Sequence, residues 1–120
     1  MGEKGFIGIK KNGLAMFNDF NNGTIEWTDW TIHLDENGGP NHVGNFCFSP
    51  NHGNIKTGEL IYTPSYYFIG HFSKLVQKAA KKINCVTSRS NLIATSFLNP
   101  DGKVIKVVMN QSSEKIKYHV

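Results

Sequence analysis

Arginine is almost missing from this sequence: Arg89 is the only one among 13 cationic side chains, set against nine Asp and Glu. The guanidinium fork is the usual reader of phosphates and base edges. The net charge of +4 comes from lysines grouped at Lys74, Lys78, Lys81 and Lys82 and at Lys103, Lys106, Lys115 and Lys117. It therefore reads as a solvated basic face, and no nucleic-acid partner is expected. Cysteine is scarce as well. Cys47 lies between Phe46 and Phe48, Cys85 lies between Asn84 and Val86, and they form no CxxC pair. Both read as small buried hydrophobes with free thiols. The histidines (His33, His42, His52, His71, His119) lack paired ligand spacing, so no metal site is expected and each reads as a surface or locally hydrogen-bonded residue. No GxGxxG, P-loop, HExxH or GxSxG motif is present, and no cofactor is expected. No apolar run approaches the ~18 residues of a membrane span, and the opening residues carry no apolar export segment. The expectation is a cytoplasmic chain with no membrane partner.

Apolar mass is not lacking. With 39% hydrophobic and 18% charged residues, the composition excludes disorder from low hydrophobicity. Its 120 residues show no internal repeat or low-complexity linker, so residues 1–120 read as a single unit. Two readings stay open at the N-terminus. Lys11-Asn12-Gly13, between Phe6–Ile9 and Leu14–Phe17, resembles a hairpin turn. Alternatively, Leu14 to Asn21 is a short helix closed by Gly23 in a left-handed cap. Trp27 to Leu34 alternates, with Trp30, Ile32 and Leu34 on one face and Asp29, Thr31 and His33 on the other, which predicts a strand. Asp35 to Pro40 reads as a loop, Gly44 to Phe48 as a short strand, and Ser49 to Gly58 as a polar loop.

Leu60 to Tyr62 reads as extended. Thr63-Pro64 then marks an N-cap followed by proline at the first helical position, and Phe68, Phe72, Leu75, Val76 and Ala79 recur at helical spacing toward Lys78. Four strand-like runs follow, at Cys85–Ser88, Leu92–Leu98, Val104–Met109 and Lys115–Val120. Asn99-Pro100-Asp101-Gly102 supplies the turn between the middle two. The fold class is α+β: a C-terminal antiparallel meander with one principal helix packed on it.

Glycoside hydrolysis needs two carboxylates facing one sugar bond. Most of the nine here sit in turn or loop contexts, and Glu26 and Asp29, three apart on the expected strand, point to opposite faces. No catalytic pair is expected among them. Trp27-Thr28-Asp29-Trp30 carries two flat rings beside polar groups, as a sugar's apolar face and hydroxyl rim require, although two tryptophans on a strand serve equally well as core.

This stretch, continued by Leu34-Asp35-Glu36-Asn37-Gly38-Gly39-Pro40-Asn41, Asn45-Phe46, Tyr66-Tyr67-Phe68-Ile69-Gly70-His71-Phe72-Ser73-Lys74 and Asn99-Pro100-Asp101-Gly102, resembles family 30 (glucosylceramidase-like) glycoside hydrolases. The motifs run in the family's order from about residue 14 to 118. The resemblance implies that about 14–80 correspond to the end of the family's catalytic (β/α)8 barrel and about 83–120 to part of its C-terminal β-sandwich. It also implies that Trp30 and Asn45 line the glucosyl site and that Asp29 supports it. The family's acid/base and nucleophile glutamates lie on earlier barrel strands, outside the match. The chain is thus expected to be a truncated O-glycosyl hydrolase segment, inactive by itself. Two alternatives are a stand-alone carbohydrate-binding β module and one part of a split glycosidase.

The partners these readings imply are a carbohydrate and a chain that completes the barrel. A monomer is favoured over self-association, with Trp27–Leu34 joining the C-terminal meander in one sheet and the helix from Pro64 crossing it through Phe68, Phe72 and Leu75. Residues after 60 are expected to be better protected from exchange than residues 1–25.

Overall fold

A computed structural model describes residues 13–119. Its first element is a helix, α1, over residues 13–21. Gly23 closes it at φ 94, with Thr24 N–H bonded to the Asp19 carbonyl at 3.0 Å and Gly23 N–H to Phe20 at 3.3 Å. These 6→1 and 5→2 bonds are a Schellman closure, which satisfies carbonyls that a helix end otherwise leaves open and requires a left-handed residue at that position. Leu14–Phe17, the second arm of the hairpin reading, is therefore helical; the first arm, Phe6–Ile9, lies outside the described residues. Met16 and Phe17 on α1 are almost fully buried, so this segment belongs to the core.

Two three-stranded sheets follow, where one continuous sheet was expected. In the first, β1 (His33–Asp35) pairs in parallel with β2 (Asn51–Gly53), and β2 pairs antiparallel with β3 (Leu60–Tyr62). The strand expected over Trp27–Leu34 is only three residues long and starts late. Thr31 sits at φ 54, and β2 offers ladder partners to His33–Asp35 alone. Alternation marks a face, but a strand also needs a neighbour for its N–H and C=O groups. Gly44–Phe48 forms no strand; the nearby strand is Asn51–Gly53, inside the segment read as a polar loop.

Helix α2 spans Pro64–Ser73 with Pro64 in its first turn. Thr63 has the extended backbone of an N-cap, but its hydroxyl does not cap. That group lies 2.9 Å from the Ser49 and Pro50 carbonyls and ties the helix start to the chain entering β2. The second sheet is an antiparallel meander of β4 (Lys81–Ile83), β5 (Leu92–Leu98) and β6 (Val104–Asn110). Its first strand precedes the Cys85–Ser88 run, which is unpaired, and residues 115–119 form no strand. Cys47 and Cys85 are free thiols and only partly buried.

The core lies where α1 and α2 meet the meander. Phe72 packs on Phe17 at 5.3 Å and on Phe20 at 5.4 Å between ring centroids, and Phe20 meets the edge of Phe97 on β5 at 5.4 Å. Met16 and Val107 complete the buried cluster. Of the three side chains expected to carry the helix across the sheet, Phe72 alone is fully buried; Phe68 lies against Gly13 of α1, and Leu75, beyond the end of α2, is half exposed. The class is α+β, with an antiparallel meander packed on a helix. No helix among the described residues is long and apolar enough to cross a membrane.

Candidate functional site

The loop between β1 and β2 is built around one carboxylate. Asp35 Oδ1 accepts the N–H groups of Asn37 at 2.8 Å and Gly39 at 2.9 Å, while Asp35 N–H donates to the Gly39 carbonyl at 2.8 Å. An Asp whose side chain bonds backbone two residues on is a strong local organiser. Gly38, at φ 74, lets this turn pass under the returning chain: a Cβ there would lie 2.6 Å from Cys47 N and 2.7 Å from Cys47 O. Any side chain at that position meets backbone that cannot step aside. Asn41 Nδ2 then bridges the Gly38 carbonyl at 3.2 Å and the Asn45 carbonyl at 2.6 Å, fixing the path to Phe46.

His52 on β2 joins the same framework from below. Its Nδ1 lies 2.8 Å from the Asp35 carbonyl, and Ser49 N–H donates to Nε2 at 3.3 Å. Nε2 is thus the acceptor and Nδ1 carries the proton. The ring is buried and stacks on Phe46 at 5.4 Å. On the neighbouring pair, His33 Nδ1 bonds Asn51 Oδ1 across the parallel ladder. Neither contact follows from residue pattern, because Asn51-His52-Gly53 has no apolar alternation to announce a strand.

Trp30 sits at the bend before β1 and is 60% exposed. Its N–H donates to Asp29 Oδ1 at 2.9 Å, so the Asp29 carboxylate holds the backbone that carries the ring. Asn45 is exposed on the 36–50 loop; its Oδ1 accepts a long contact of 3.7 Å from the Cys47 thiol. The structure joins Asp29 to Trp30 directly, and neither has a hydrogen bond to Asn45 among the described residues.

The carboxylates of this region have other duties. Glu36 Oε2 accepts Ile55 N–H at 3.0 Å, Asp35 holds its loop, and Glu26 lines a separate groove. That groove, of about 650 Å³, lies away from Trp30, among Met16, Phe20, Trp27, Ile69, Val76 and Phe97. Trp27 is half-buried there against the core, whereas Trp30 is open, so the two tryptophans divide between packing and display. No group of three potential metal ligands converges among the described residues.

The model of the glycosyl hydrolase family 30 TIM-barrel domain matches residues 9–76, and that of the family's beta sandwich domain matches residues 80–120. Lysosomal acid glucosylceramidase of Mus musculus is 40% identical over 91 residues, covering 75% of this chain and 18% of that protein. The crystal structure of SrfJ from Salmonella typhimurium superimposes with a TM-score of 0.88 at 29% identity, over 93% of this chain and 25% of its own. The chain therefore spans a quarter or less of the proteins it matches.

Proposed function

Because this chain belongs to glycosyl hydrolase family 30 and carries parts of both of its domains, we propose that it supplies one wall of a glucosyl site and not the carboxylates that cut the sugar bond. Trp30 is the sugar platform in this reading: a flat ring offers the apolar face of a pyranose a surface to stack on. Asn45 contributes an amide able to donate to and accept from hydroxyls. Asp29 positions the platform through the Trp30 N–H and does not touch the sugar.

The observation that carries this reading is the display of Trp30. A large ring 60% open to solvent, beside a carboxylate committed to its backbone, is costly unless something covers it. Retaining glycosidases also need two carboxyl groups about 5–5.5 Å apart. Glu36 and Asp35 are occupied with backbone N–H groups and Glu26 faces another groove, which supports catalysis by residues other than those of this segment. By itself the chain is a silent segment of an O-glycosyl hydrolase.

The test is direct. Purified protein incubated with aryl β-glucoside and β-xyloside should show no turnover above buffer. Turnover that survives repurification and vanishes in Glu26→Gln would reject the reading. Tryptophan fluorescence during glucose and cello-oligosaccharide titration addresses the alternative of a free-standing binding module. Saturation tighter than about 1 mM, abolished by Trp30→Ala, would favour the module; only weaker binding is expected.

A further inference from the structure

We propose that Asn22 is a site of self-modification: its side-chain amide is lost to a succinimide closed by the Gly23 nitrogen, and the product loosens the C-terminal closure of α1. Asparagine amides are thermolabile, and a following glycine has no Cβ to hinder the ring closure. The sequence holds Asn-Gly at 12–13, 22–23 and 37–38. Asn12 lies outside the described residues, and the structure separates the other two.

In the step, the Gly23 nitrogen gives up its proton and bonds to Asn22 Cγ, and the Cγ–Nδ2 bond breaks to release ammonia. Water then opens the ring. Attack at the main-chain carbonyl gives isoaspartate, with an extra methylene in the backbone, and attack at Cγ gives aspartate. Nothing is oxidised or reduced, and water is the only co-reactant. Closure requires the peptide plane after the asparagine to turn toward its side chain, so the freedom of that plane decides the rate.

Asn22 is exposed, and beyond its own chain neighbours no atom among the described residues lies within 4 Å of where a Gly23 Cβ would stand. The Gly23 N–H bond to the Phe20 carbonyl is long, at 3.3 Å, and belongs to a helix end, where opening costs least. At 37–38 the same motion meets a frame. Asn37 N–H donates to Asp35 Oδ1 at 2.8 Å, Gly38 N–H to the Asp35 carbonyl at 3.1 Å, and Cys47 N–H to the Gly38 carbonyl at 3.3 Å. Gly38 is also buried against the Cys47 backbone. Turning that plane breaks several bonds at once, so Asn37 is spared.

The product does not fit the closure it forms in. Asn22 Nδ2 donates to the Asn18 carbonyl at 2.8 Å, and a carboxylate cannot donate. The new negative charge also stands at the end of α1, where the last carbonyls already point. In isoaspartate the added methylene lies between the donors and the acceptors of the Schellman bonds. One residue earlier, Asn21 Nδ2 ties this end of α1 to the Ala94 carbonyl of β5 at 3.1 Å, so a loosened closure loosens α1 from the meander.

The test ages the full chain in warm, mildly alkaline buffer and counts aspartate and isoaspartate at each position by mass spectrometry with electron-transfer fragmentation. Asn22 should convert severalfold faster than Asn37, with isoaspartate in excess. In guanidinium chloride, where no fold restrains either plane, the two rates should draw together. Asn37 converting as fast as Asn22 in the folded protein, or the same preference persisting in denaturant, would overturn the site. Converted and unconverted chains differ in charge and separate by ion exchange. The α1 amides of the converted form should exchange severalfold faster, and equal protection in the two forms would overturn the effect on the helix. Asn22→Gln, whose longer side chain closes a ring far more slowly, should keep its starting α1 protection through ageing. Loss at the rate of the unaltered chain would assign the loosening elsewhere and reject the proposal.

Discussion

At the β5–β6 turn, Asp101 accepts the Lys103 N–H at 3.1 Å and pairs with Lys103 Nζ at 3.0 Å, with Gln77 Nε2 at 3.4 Å. The Lys103 backbone donor does most to hold the Asp101 carboxyl below its ordinary value, and the hydrogen bond and charge of the Lys103 side chain add to it. A carboxylate whose pKa is lower folded than unfolded contributes stability above the unfolded value. That contribution fades as pH falls through the folded value, so the turn loosens only in acid and is indifferent to pH near neutrality. The Asp101 carboxyl carbon, followed by NMR, should titrate below a free aspartate. Since the Lys103 backbone donor leads among the causes and stays in Lys103→Ala, part of the depression should persist there. Its complete loss there would assign the effect to the ion pair.

Among the elements, β5 and β6 follow their sequence pattern closely because their β-branched and aromatic residues alternate and Asn99-Pro100-Asp101-Gly102 closes them locally. The beginning of α2 was equally readable from Thr63-Pro64, but its end was not. Apolar spacing runs on to Ala79, yet the helix stops at Ser73. The buried Asn99 amide takes the Leu75 carbonyl at 2.9 Å and the Gln77 N–H at 3.1 Å, drawing both backbone groups out of the helical ladder. A contact across 22 residues leaves no periodic trace in the sequence. Tertiary bonding overrode propensity there, and missing neighbours did so at Trp27–Ile32. The candidate site divides the same way. Asp29 beside Trp30 was readable as a neighbouring pair, whereas the His52–Asp35 and His33–Asn51 contacts depend on a parallel pairing that no local signal encodes. Phe72 concentrates the packing of both helices on the meander. Phe72→Ala should cost about 3–5 kcal/mol, read from urea midpoints; a loss under 1 kcal/mol would show that the aromatic cluster is not the core.

On the scale of the whole molecule, burial is uneven. Among the described residues, six of the seven fully buried apolar side chains (Met16, Phe17, Phe72, Ala94, Phe97 and Val107) lie in the body formed by α1, α2 and the meander, and Leu34 alone lies in the first sheet. The radius of gyration is 16.4 Å, whereas a compact chain of this length has about 13.6 Å. The accessible surface tells the same story: 9020 Å² here, against about 6,500 Å² for a compact 13.4 kDa protein. With about 19,400 Å² exposed by the unfolded chain, folding buries roughly four-fifths of what compact folding would bury. The urea m-value scales with that difference and should fall below that of a compact domain of equal length by a similar fraction. The amides of α1, α2, β5 and β6 should exchange slowly while residues 24–62 exchange fast, since local opening follows the density of buried contacts. An m-value typical of a compact 120-residue domain, together with uniform protection, would mean that the first sheet folds onto the body in solution.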